Sequence, residues 1–117
     1  MEHTNAAELI RQLKDAKTNG ENVMTKSNNK AIEKLYEAIL SLENKEECRL
    51  FFEDVCTIQE LDSIAQRLEV AKLLFAGKSY AEINKLTGAS TATICRVSKC
   101  VNYGDGGYKT AIDRLGE

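Results

Sequence analysis

The 117-residue chain has no proline, no tryptophan and a single histidine, His3. Its 3 Phe and 4 Tyr make up 6% of the residues. Sandwiches and barrels need frequent turn signals and strands rich in aromatic residues, so these shortages speak against an all-β fold. No apolar run is long enough to span a bilayer, since Val70-Ala71-Lys72-Leu73-Leu74-Phe75-Ala76 is short and broken by a lysine. Met1-Glu2-His3-Thr4-Asn5 lacks the basic segment and apolar core of a secretory signal, so the expected location is the cytoplasm, with no membrane contact. Cys48, Cys56, Cys95 and Cys100 contain no C-x-x-C pair, and His3 is remote from all of them in sequence. That leaves no zinc ligand set and no base beside a cysteine nucleophile. In a reducing compartment the four read as small buried apolar residues. With no paired acid and base either, the chain reads as a non-enzyme with no catalytic residue, no metal and no required cofactor.

What the chain does have is abundant Ala, Leu, Glu, Lys and Ile, the composition of an all-α protein. The length suits one hydrophobic core. The net charge is −2 but unevenly spread: residues 1–60 hold 8 basic and 12 acidic side chains, residues 61–117 hold 8 and 6. A surface for a polyanion therefore belongs in the second half.

Apolar spacing predicts a short helix over residues 5–18, followed by a polar linker, so that residues 1–28 form an N-terminal arm and 29–117 the main domain. Ile32, Leu35, Tyr36, Ile39 and Leu40 mark a helix from about 30 to 42. A third covers 45–55, with Glu46 and Glu47 in its first turn. Thr57 and Glu60 have capping-box spacing and open a long helix that Gly77 closes. Its apolar residues cover more than one face, a sign of sharing between two subunits. Gly104–Gly107 forms a turn into a last helix at 107–115.

Between them lies the segment that points to function. Ser79-Tyr80-Ala81-Glu82 is a second capping box, and Thr87-Gly88-Ala89-Ser90 is a tight turn before another helix capped by Ser90. Two short helices around such a turn form a helix-turn-helix, held by Ile83, Leu86, Ala89, Ile94 and Val97. The outer face of the second helix carries Thr91, Ala92, Cys95, Arg96 and Lys99, small or basic and never acidic. Small residues admit a helix into the major groove, and Arg and Lys reach guanine edges and phosphates. From Lys78 to Lys99 there are 4 basic residues and 1 acidic. The candidate DNA-binding residues are Lys78, Ser90, Thr91, Ala92, Cys95, Arg96 and Lys99. Asn84 departs from the small residue usual near the middle of the first helix.

The stretches Gln66-Arg67-Leu68-Glu69-Val70, Leu73-Leu74-Phe75-Ala76-Gly77-Lys78-Ser79-Tyr80 and Gly88-Ala89-Ser90-Thr91-Ala92-Thr93-Ile94-Cys95-Arg96 resemble the Trp repressor family. Tyr36-Glu37-Ala38-Ile39-Leu40, Phe51-Phe52-Glu53-Asp54 and Asn102-Tyr103-Gly104 are similar to motifs of its YerC/YecD branch. The resemblance covers roughly residues 30–110. It implies an intertwined, all-helical homodimer that binds double-stranded operator DNA as a transcriptional regulator, in all expectation a repressor. It also implies an effector site: Thr57, Arg67 and Arg96 match three residues that contact tryptophan in Trp repressor, while the fourth position, a serine there, is Cys100. A small corepressor, tryptophan or another amino acid, is the ligand this set suggests, since arginine clamps carboxylates. The alternative is a helical adaptor that binds proteins and no DNA, motivated by the net acidity and the arm.

Overall fold

The computed structural model describes residues 29–116. Among them are six α-helices and no strand: α1 (Lys30–Leu40), α2 (Lys45–Val55), α3 (Ile58–Phe75), α4 (Tyr80–Thr87), α5 (Thr91–Tyr103) and α6 (Gly107–Leu115). The helix and linker expected within residues 5–28 lie outside the described residues. The chain divides into two units at Arg49/Leu50, within α2.

In the first unit, Asn29 caps α1 by accepting from the backbone N–H of Ala31 at 2.8 Å and of Ile32 at 3.2 Å. Asn44 accepts from the Glu47 N–H at 2.9 Å, and Glu47 reaches back to the Glu43 N–H at 2.8 Å, which starts α2. Both helices are amphipathic, yet neither contains a buried residue.

The second unit is built on α3. Its start is the anticipated capping box: Thr57 Oγ1 accepts from the Glu60 N–H at 3.0 Å, and Glu60 accepts from the Thr57 N–H at 2.8 Å. At its other end the Lys78 N–H bonds the Leu73 carbonyl and the Gly77 N–H bonds the Leu74 carbonyl, both at 3.0 Å. This pairing needs a left-handed residue just past the helix, and Gly77 supplies it at φ +82°. The chain thereby turns sharply from α3 into the capping box of α4.

Helices α4, α5 and α6 all pack on α3. The core is small: Val70 and Ala71 of α3, Ile83 of α4, Ala89 of the turn, and Ile94 and Val97 of α5, each 1% exposed or less. Leu73, Leu74, Val101, Tyr108 and Ile112 pack around it. Along α3 only Val70 and Ala71, in its C-terminal half, are buried; at the other end Ile58 is 81% exposed and Ile64 is exposed too.

Two expectations need correction. Leu86 does not help hold the helix pair, being 64% exposed. One turn after Ile83 it has rotated off the core-facing stripe, and Thr87, Gly88 and Ala89 close the corner without it. The cysteines are not buried apolar residues either. Cys48 and Cys56 are half-buried, while Cys95 and Cys100 are exposed, because the inward face of α5 is taken by Ile94 and Val97. All four are free thiols.

Candidate nucleic-acid interface

Helices α4 and α5 meet at a corner whose backbone groups are bonded almost one by one. Gly88, at φ +76°, is the left-handed residue that ends α4, and its N–H donates to the Asn84 carbonyl at 2.8 Å. Thr87 Oγ1 donates to the Ile83 carbonyl at 2.7 Å and accepts from the Ala89 N–H at 3.1 Å. The Thr87 carbonyl accepts from Gln66 Nε2 of α3 at 3.1 Å, and the Ala89 carbonyl accepts from Asn84 Nδ2 at 2.8 Å. Ser90 then caps α5, accepting from the Thr93 N–H at 3.2 Å while its hydroxyl donates to Thr93 Oγ1 at 3.1 Å.

With Ile94 and Val97 fixed inward, the period of α5 turns Thr91, Ala92, Cys95, Arg96 and Lys99 outward, and all five are exposed. They share one face as expected, preceded by Ser90 at the helix N-terminus, where partial positive charge from the unpaired N–H groups adds to that of Arg96 and Lys99. Lys78 is exposed immediately before the Ser79 cap of α4. The one acidic residue of the segment, Glu82, accepts from the Ser79 N–H at 3.1 Å and Ser79 Oγ at 3.2 Å. These backbone and side-chain bonds, with a smaller pull from Lys78, hold its carboxyl below the ordinary glutamate pKa. Its charge is therefore kept at the cap. Lys85, Arg96 and Lys99 have no ion-pair partner among the described residues, whereas Lys72 and Lys109, outside the segment, pair with Glu69 at 3.3 Å and Asp113 at 2.8 Å.

Of the four effector residues that the resemblance suggests, Thr57 and Arg67 line one open groove of about 700 Å³, with Cys56, Glu60, Ser63 and Ile64 among its other walls. Arg67 is half-buried, with no hydrogen-bond or ion-pair partner among the described residues. Arg96 and Cys100 do not line this groove; both are exposed on α5. Gln66, Asn84 and Thr87 carry the corner; the sequence shows Thr87 only as the start of the turn, Asn84 only as an odd residue type and Gln66 only within a family-like stretch, with no sign of the bonds they make.

With no strand among the described residues, and with capped α4 and α5 packed at a bonded corner against a longer helix, this is an all-α helix-turn-helix protein. Comparison with known proteins narrows the class. The pattern of the family described as Trp repressor protein matches residues 30–116. The uncharacterized protein YerC of Bacillus subtilis (strain 168) is 53% identical over 88 residues, 75% of this chain and 85% of YerC. The crystal structure of a TrpR like protein from Eubacterium eligens ATCC 27750 superposes with a TM-score of 0.74 at 52% identity, covering 78% of this chain and 94% of that one. A candidate Trp repressor from Staphylococcus aureus gives a TM-score of 0.74 at 46% identity, over 78% and 91% of the two chains. The chain belongs to the Trp repressor family. No helix among the described residues is long and apolar enough to cross a membrane.

Proposed function

We propose that the protein is a homodimeric, sequence-specific DNA-binding transcription regulator, a repressor in the first instance and not an enzyme, and that α5 is its recognition helix. One observation carries the reading: α5 is pinned inward by Ile94 and Val97, and its opposite face shows small and basic residues with no acid and no ion pair among the described residues. Such a face is poorly designed for mere solvation, where acids usually interleave with bases. It suits a groove with phosphate walls and donor-seeking base edges. Lys78 and Lys99 serve as phosphate contacts, Ser90, Thr91, Ala92 and Cys95 as the close-approach surface, and Arg96 as a reader of guanine.

The dimer draws support from apolar side chains that stand exposed among the described residues. Leu35, Tyr36 and Leu40 of α1, Leu50 and Val55 of α2, and Ile58 and Ile64 of α3 are exposed, Leu40 by 84%. Two palindromic half-sites would then meet two recognition helices. Membership of the Trp repressor family supports both parts of the reading. An effector is proposed at Thr57 and Arg67, with Arg96 and Cys100 as the residues of α5 that the family pattern adds. An amino acid, tryptophan among the candidates, suits the guanidinium of Arg67, which has no ion pair among the described residues, through its carboxylate.

Selection of bound duplexes from random DNA, run with and without free amino acids, tests the whole reading. The expected outcome is an enriched palindromic sequence whose affinity falls steeply with salt, and Arg96→Ala relaxes the preference at one base position per half-site. Failure to enrich any sequence under all conditions defeats it, and proteins that copurify through nuclease and high salt would point to the adaptor instead.

A further inference from the structure

Two side-chain amides that lie off the proposed DNA face hold the corner from which α5 departs. Asn84 Nδ2, on α4, holds the Ala89 carbonyl at 2.8 Å, and Gln66 Nε2, on α3, holds the Thr87 carbonyl at 3.1 Å. The Ala89 N–H is in turn held by Thr87 Oγ1, and its methyl group lies in the core. Ala89 is thus fixed at its N–H, its carbonyl and its side chain, and the next residue is the N-cap of α5. The Gln66 bond joins residues 21 apart in sequence, while the bonds of Asn84 and Thr87 span five residues or fewer.

The two kinds of contact do different work. Packing among Ile83, Ala89, Ile94 and Val97 draws the helices together, but hydrophobic attraction has no direction and tolerates small rotations. Hydrogen bonds weaken steeply as their angle closes, so the amides resist the rotation that packing permits. Phosphate contacts survive a small change in the pose of α5, because a cation on a flexible stem follows its anion. Base-edge contacts do not, because they need donors in register with a fixed pattern.

We infer that Gln66 and Asn84 are positioning residues that set the pose of α5, and so govern discrimination between operator and random duplex more than attraction to DNA as such. The inference rests on the DNA-binding reading and assigns a role to the asparagine that departs from the usual pattern. It is tested on the full-length chain with Gln66→Met, similar in reach but without a donor, and with Asn84→Ala. Affinities for the selected operator and for a scrambled duplex are measured at one fixed salt concentration by fluorescence anisotropy, with circular dichroism to confirm folding.

Each variant is expected to lose about tenfold in operator affinity, the scale of one lost hydrogen bond, while affinity for the scrambled duplex stays within about twofold. Lys99→Ala is the contrast, weakening both duplexes together. Asn84→Ala places the strongest helix former in α4, so this variant keeps the test open if Gln66→Met does not fold. Unchanged operator affinity, an equal loss on both duplexes, or unfolding of Asn84→Ala at the assay temperature overturns the positioning role while leaving DNA binding intact. A wild-type protein that binds no duplex overturns the DNA-binding reading itself.

Discussion

Helices α1 and α4 are of similar length and both amphipathic, and each is capped by a side chain at its start. Yet α4 buries Ile83 completely in a core made with α3 and α5, whereas α1 buries nothing and leaves Leu35, Tyr36 and Leu40 exposed. The difference separates two uses of the same sequence pattern. Around α4 the inward Ile83 is covered by neighbouring helices of the same chain, and directional bonds at the corner refine that packing. Along α1 and α2 the stripe is complete in sequence, yet Leu35, Tyr36 and Leu40 of α1 and Leu50 and Val55 of α2 stay exposed. One region closes a core of its own, and the other carries the apolar surface on which the proposed dimer rests.

The sharpest way to break this contrast is to damage the self-sufficient side. Ile94→Ala should cost about 2–5 kcal/mol, the range for large-to-small changes in a closed core, and should lower the melting midpoint equally at every protein concentration. Leu40→Glu should act in the opposite manner. Burial of such a side chain is worth about 1.5–3 kcal/mol, so its replacement by a charge should shift sedimentation toward the monomer and remove the concentration dependence of melting. A wild-type protein that sediments as a monomer at micromolar concentration would refute the dimer and leave the exposed stripe unexplained.

The ends of helices were well marked in the sequence because caps are local: Thr57 with Glu60, Ser79 with Glu82, and Ser90 each announce a helix start within three residues. The outer face of α5 followed from periodicity for the same reason. Cys95 and Cys100 show residue type misleading where position decides: thiols are often buried, but both are exposed on α5, whose inward positions belong to Ile94 and Val97. Leu86 shows the converse, an apolar residue on a helix too short to keep every apolar side chain inward. Gln66 was illegible because its partner is a backbone carbonyl 21 residues away, and nothing in the type or spacing of either residue records that meeting.

Smaller perturbations sharpen the contrast at the corner. Beyond its own and adjacent residues, nothing lies within 4 Å of where a Cβ at Gly88 would sit, so Gly88→Ala adds no clash and reports backbone strain alone. The left-handed conformation costs an alanine about 1–2 kcal/mol, and thermal melts should show that loss. Ser79→Ala should cost about 1 kcal/mol through the lost cap of α4. Because bonds from Ser79 hold the Glu82 carboxyl below its ordinary pKa, that carboxyl supports the fold fully above the ordinary glutamate range and ceases to do so as pH falls through its lowered value. Melts from neutral pH downward should lose part of their acid sensitivity in Glu82→Gln, and an identical pH profile would show that the cap carries no such linkage.

The smallest effect on stability is expected at Lys99, which is exposed and without an ion pair among the described residues. Lys99→Ala should change folding by less than about 0.5 kcal/mol, as surface substitutions do. Its effect should appear in DNA binding instead. Each phosphate neutralised releases condensed counterions, so the slope of log affinity against log salt should fall by about one unit per lysine lost from a protomer, equally for operator and random duplex. A variant that keeps the wild-type slope removes Lys99 from the interface. One that loses operator binding alone makes it a reader of sequence, a role that a single flexible cation at the far end of the α5 face is poorly shaped to fill.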